Sequence, residues 1–185
     1  MHRSTAPVRW AYDPGASASP QVTVHMAESI RNVFKGRVLT LNIERVRLPN
    51  GREAELEIAH HPGGAAIVAI DATGRVCLLR QFRHAAGGWL DELPAGKLDG
   101  GEPPLECAVC ELAEEAGMSA ARWDKLGEYL SSPGVFTEVI HVYLARDLTP
   151  VASSPEEHPG TQTRTGRSVV RSSRSLGNTS WRSAV

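Results

Sequence analysis

The alternation of apolar and polar residues changes period several times along the chain, and each change marks an element. Residues 38–48, VLTLNIERVRL, mix β-branched and apolar positions with polar ones. PNG then makes a turn and 52–61, REAELEIAHH, continues the pattern, which predicts a β-hairpin. The run AAIVAI at 65–70 is apolar throughout, as in a strand covered on both faces. DATG follows as a turn, and RVCLLRQF at 75–82 reads as a second core strand. Pro and Gly then exclude a long regular element from WLDELPAGKLDGGEPP, and helical spacing takes over at 103–116. Asp99 or Gly100 is placed to cap that helix, Pro103 and Pro104 are tolerated in its first turn, and Gly117 stands where a C-cap belongs. Leu105, Ala108, Val109, Leu112 and Ala116 share one face, and Glu111, Glu114 and Glu115 share another.

The flanks are different. Residues 1–34 begin rich in Ala, Ser, Pro and Gly without periodicity and read as a mobile leader. Residues 151–185 form a basic Ser/Arg tail with no apolar stripe, which reads as disordered. Between them lie a small β subdomain at 35–61 and a core domain at 62–150.

Composition narrows the function. With 41% hydrophobic residues in 185, the chain suffices for one domain with a proper core. Its 20 basic and 21 acidic residues nearly cancel, so nothing global points to nucleic acid or an acidic membrane, and no run approaches the ~18 apolar residues of a span. The cysteines, Cys77, Cys107 and Cys110, are odd in number, and two stand one helical turn apart, a poor disulfide framework that favours the cytoplasm. Cys107 and Cys110 read as small helix residues rather than a redox or zinc pair. His60, His61, His84 and His141 lack ligand spacing, and Arg80 reads as structural.

The acidic helix needs an explanation. Like charges at i,i+3 and i,i+4, roughly 6 Å apart at an effective dielectric near 20, cost about 2 to 3 kcal/mol per pair before salt screening. Either water screens them on a solvated face, or a cation sits there. The loop before the helix bears on the choice: Gly96, Glu102, Glu111, Leu112, Glu114, Glu115, Gly117 and Met118 stand at the gaps of G-x5-E-x7-R-E-U-x-E-E-x-G-U, where U is aliphatic. This resembles the Nudix box, with Cys110 in place of its arginine. The stretches RQFRHAAGGWLDELPAGKLDGGE and SSPGVFTEVIHVYLARDL resemble the ADP-ribose pyrophosphatase branch of that family.

The resemblance implies an α/β fold: an α/β/α sandwich around a mixed β-sheet, with the N-terminal hairpin as a subdomain that pairs subunits into a homodimer. It implies hydrolysis of the diphosphate of a nucleoside-diphosphate sugar, ADP-ribose to AMP and ribose 5-phosphate, with Mg²⁺ or Mn²⁺. The alternatives are GDP-mannose or another nucleotide sugar as substrate, or a binding module that no longer cleaves. By the same likeness Arg83 and Glu92 contact substrate. The Ala95 carbonyl, Glu111 and Glu115 ligate metal, Glu114 is a nearby ligand or a helper in catalysis, and Glu156 or Glu157 is the general base.

Overall fold

The computed structural model of the chain describes residues 27–151. Three strands, β1 (Ser29–Lys35), β2 (Thr40–Arg47) and β3 (Glu53–His60), form an antiparallel sheet in that order. The expected hairpin is therefore three-stranded, and all of its first strand but Lys35 lies inside the stretch read as a mobile leader. Ser29–Lys35 has no clean alternation because all seven residues are exposed, so no buried face imprints a period on it. β3 ties this sheet to the rest of the chain: Ala59 N–H donates to the Val135 carbonyl (2.8 Å), and Thr137 N–H donates to the Ala59 carbonyl (3.0 Å).

The core follows as β4 (Gly64–Ala69), β5 (Leu79–Arg83), β6 (Gly88–Glu92), β7 (Ala95–Lys97), α1 (Pro104–Ala116), β8 (Met118–Leu130) and β9 (Val139–Pro150). Its four-stranded sheet runs β7-β4-β9-β8. β4 and β9 are parallel and the outer pairings antiparallel, which makes the expected mixed sheet. The second core strand read at 75–82 is different. Asp71 gathers the Thr73 and Arg75 N–H groups (2.8 and 3.0 Å) into a tight turn, but only an Ile70–Val76 bridge follows. β4 carries β7 on one edge and β9 on the other, so the returning chain has no edge to extend along. Leu79–Arg83 pairs with Gly88–Glu92 instead.

α1 covers one face of the sheet and is the single α-helix among the described residues, so a second helical layer of the expected sandwich is not among them. Its N-cap is Pro103, in extended conformation at φ −62° and ψ 130°, and not Asp99 or Gly100. Those two belong to a preceding turn closed by the Glu102 N–H on the Asp99 carbonyl (2.7 Å). Gly117 ends the helix as expected, at φ 63°, with its N–H on the Ala113 carbonyl (3.1 Å).

The buried stripe of α1 keeps Ala108, Leu112 and Ala116 of the expected face but is rotated away from Leu105 and Val109. Cys107, Ala108 and Leu112 pack on Ala65, Ile67, Ala69, Tyr143 and Ala145, while Leu105 and Val109 are 40% and 43% exposed. Alanines on β4 bring the helix close, and that favours the small Cys107 and Ala108 at the contact over bulkier neighbours. This rotation matters for function, because Glu111 and Glu115 follow Cys107 at i+4 and i+8. They stand half-buried at the margin of the packed stripe rather than opposite it, and Glu114 alone of the three is exposed.

Candidate functional site

Two carboxylates lace α1 to β7. A Cβ added at Gly96 would lie 1.6 Å from Glu111 Oε1 and 2.0 Å from its Cδ, so the Glu111 side chain fills the space that any other residue at 96 would occupy. One residue earlier, the Ala95 N–H donates to Glu115 Oε2 at 2.9 Å. Gly64 lets the strands come this close, since a Cβ there would meet the Gly96 carbonyl oxygen at 2.8 Å. Ala95, Glu111 and Glu115, the three expected metal-holding residues, are thus brought to one place.

That place is the floor of a cleft of about 680 Å³, whose walls include His61, Gln81, Arg83, Lys97, Glu102, Cys110 and Glu114. Alternation along β5 sends Gln81 and Arg83 to the cleft. Arg80 and Phe82 take the other face, where Arg80 pairs with Asp91 (3.0 Å) and Phe82 meets Trp89 edge-on at 5.7 Å. Arg83 is held in turn by Glu92, its Nε and Nη2 donating to the two carboxylate oxygens at 2.8 to 3.1 Å. The hydrogen bond to Glu92 raises the Arg83 pKa above its ordinary value, burial works against it, and the negative fields of Glu92 and Glu115 add to the rise. The two residues expected to contact substrate therefore contact one another, with Arg83 on the cleft wall. Glu156 and Glu157 lie outside the described residues.

Burial pushes the Cys107 thiol up to about 12, helped by the negative fields of Glu102 and Glu111. It stays protonated and approaches the Lys97 carbonyl at 3.8 Å. Three residues of the wall carry no signal in the acidic pattern. Gln81 was accessible from strand alternation with Arg83, and Lys97 from its place beside Gly96. His61 arrives from the end of β3, where its Nδ1 accepts from Gly63 N–H (3.1 Å) and lies 3.2 Å from Glu138; nothing local announces it.

The side chains gathered here suit a hard divalent cation: two carboxylates, Glu111 over Gly96 and Glu115 beside Ala95. Among the described residues no three His, Cys, Asp or Glu side chains form a ready-made cage. A magnesium-like ion ordinarily takes one or two carboxylates and completes its shell with water and substrate phosphate, and two half-buried glutamates beside an open cleft fit that division of labour.

Known proteins resemble the chain in sequence and in fold. The NUDIX domain family model matches residues 60–164. The chain is 40% identical over 117 residues to the ADP-ribose pyrophosphatase of Bacillus subtilis, covering 63% of each chain. It is also 40% identical over 131 residues to the ADP-ribose pyrophosphatase of Mycobacterium tuberculosis, covering 70% of this chain and 63% of that one. The chain therefore spans slightly under two thirds of the length of these relatives. A crystal structure of an ADP compounds hydrolase superposes with a TM-score of 0.62 at 23% identity over 73% of each chain, which shows a shared fold.

Proposed function

The chain belongs to the NUDIX domain family, and we propose that its cleft hydrolyses the diphosphate of a nucleoside-diphosphate sugar, ADP-ribose above others, to AMP and ribose 5-phosphate. The observation that carries this reading is the pair of half-buried carboxylates, Glu111 roofing Gly96 and Glu115 on the Ala95 N–H. Similarity to two ADP-ribose pyrophosphatases supports the choice of substrate.

In this reading Glu111, Glu115 and the Ala95 carbonyl hold Mg²⁺, or Mn²⁺ in its stead. When bound, such an ion supplies neutralisation of the diphosphate and acidification of a water. The chain's own side chains do the rest. Arg83, oriented by Glu92, presents a planar cation to a phosphate or carboxylate-like edge of the ligand. Attack of water on phosphorus needs a proton acceptor, and we assign that role to a carboxylate outside the pair that holds the ion: Glu114 on the cleft wall, or Glu156 or Glu157 in the segment after β9.

Two features of assembly and location belong to the same reading. β1 is an edge strand with Ile30, Val33 and Phe34 at 61%, 50% and 56% exposure, a surface that a second copy of the chain would cover in a homodimer. None of the three cysteines is joined in a disulfide, which supports a reducing compartment, the cytoplasm. Light scattering at micromolar concentration that returns a monomer mass counts against the dimer.

Cys110 favours a second reading, a module that binds the nucleotide sugar without cleaving it, because an exposed thiol stands directly before Glu111. Release of AMP from ADP-ribose, followed with Mg²⁺ and with a chelator, separates the two. Metal-dependent release establishes the hydrolase, whereas tight binding without release establishes the module.

A further inference from the structure

The charges around the cleft do not balance for an anionic ligand. Asp99, Glu102, Glu111, Glu114 and Glu115 line it, against Arg83 and Lys97 as the permanent cations among the lining residues. Arg83 is already committed to both oxygens of Glu92, and position 110, which faces the cleft from the helix, carries a thiol. A diphosphate entering here brings further negative charge, and beside the divalent ion and the clasped Arg83 of the reading above it would draw on a side-chain cation that can leave its present partner.

We propose that Lys97 is that cation, its ammonium resting on Asp99 and transferring to the diphosphate when the ligand enters. The inference rests on the nucleotide-sugar reading above. The root of Lys97 is fixed on two sides: its backbone pairs with Gly64 on β4, and its carbonyl meets the Cys107 thiol at 3.8 Å. Its two predecessors on β7 are Gly96, under Glu111, and Ala95, bound to Glu115, so the side chain springs from the rim of the proposed metal site. The head is different. Its salt-bridge partner Asp99 is 85% exposed and Lys97 itself 41%, and a pair so open to water contributes little and exchanges cheaply. A flexible four-carbon stem on a pinned backbone, with a solvated resting partner, is what a movable phosphate contact requires.

A purely structural Lys97–Asp99 bridge and a movable cation differ in sign. If Lys97 serves the diphosphate, Lys97→Met raises KM for ADP-ribose roughly tenfold and leaves kcat within about threefold, the pattern of a lost binding contact. Lys97→Arg restores most of the affinity. Asp99→Asn, which releases the ammonium, lowers KM. A structural bridge predicts that Lys97→Met and Asp99→Asn weaken the protein together, with matching drops in thermal midpoint.

Calorimetric titration with inorganic diphosphate in Mg²⁺ tests the contact independently of the sugar. The expected result is about tenfold weaker binding by Lys97→Met and tighter binding by Asp99→Asn. Equal affinity of parent and Lys97→Met, impaired binding by Asp99→Asn, or no binding by the parent overturns the inference. Lys97-dependent diphosphate binding in a protein that does not turn over ADP-ribose would overturn the hydrolase reading and leave the role of Lys97 standing.

Discussion

Replacing Gly96 by alanine separates stability from activity. The added methyl would lie 1.6, 2.0 and 2.4 Å from Oε1, Cδ and Cγ of Glu111. To reach ordinary van der Waals contact at 3.4 Å the carboxylate must withdraw by nearly 2 Å. Gly96 is absent from the residues with positive φ, so alanine accepts the backbone without strain. The variant even gains about 0.4 to 1 kcal/mol through its less flexible unfolded chain, which offsets the cost of moving a side chain. The fold therefore survives with a melting temperature within a few degrees of the parent, on the order of 1 kcal/mol at this size. Activity does not. A misplacement of about 1 Å in a positioning group can cost about 100-fold, so the larger shift of Glu111 is expected to lower kcat/KM for ADP-ribose by at least about 100-fold, roughly 2.7 kcal/mol of barrier. The assay is AMP release across a series of Mg²⁺ concentrations, beside a thermal melt of the same sample. Weaker apparent metal affinity with an intact fold is the expected signature. Parental turnover and parental Mg²⁺ dependence in Gly96→Ala would mean that Glu111 does not act from the position it holds over Gly96.

Further outcomes follow from the same geometry. Cys110→Arg, at an exposed helix position directly before Glu111, places a cation among the glutamates and is expected to raise activity about 10- to 100-fold, the usual scale for a partner that orients metal-holding groups; kinetics at several Mg²⁺ levels check it. Cys107, with its thiol pushed up to about 12 from an ordinary 9.0, should resist alkylation at pH 8 while Cys110 is modified, as mass spectrometry of digests would show. Because the folded-state value is raised, the stability Cys107 contributes is intact below about pH 9 and lost as pH rises towards 12, a decline that Cys107→Ala should flatten. Leu112→Ala, at a fully buried site on the β4 face of α1, should cost about 2 to 5 kcal/mol in chemical denaturation.

How far the sequence spoke depended on whether the determining contact was local. Helix α1 was legible because its period, its Gly117 cap and its glutamate spacing lie within a dozen residues, and β4 because both its faces are covered. The packed face of α1 was legible only in part, through Ala108, Leu112 and Ala116. Hydrophobicity ranks Leu105 and Val109 above Cys107, whereas the alanine-lined sheet favours the small side chain, and that choice resides in β4. β1 escaped notice for the opposite reason, since a strand exposed on both faces carries no period. The register of 79–83 depended on β4 having both edges occupied, a fact of topology. In the site, the glutamates were readable from their spacing alone. The Arg83–Glu92 clasp was not, because the β5–β6 register sets Arg83 opposite Gly88 and Glu92 opposite Leu79 and the two side chains meet only by reaching along the face they share, and His61 arrives from the chain just after β3. Lys97 stood in plain view beside Gly96, but its meaning depends on which carboxylate holds it.

The most direct test of the account compares parent and Glu115→Gln in the release of AMP and ribose 5-phosphate from ADP-ribose, with Mg²⁺ and after chelation. Glu115 is half-buried and bonded to the Ala95 N–H, a contact glutamine can keep through its carbonyl oxygen, so the fold should persist by circular dichroism. Product is expected from the parent only with the metal, together with loss of most of that activity in Glu115→Gln. Undiminished turnover by the variant, or release by the parent that ignores chelation, would contradict it.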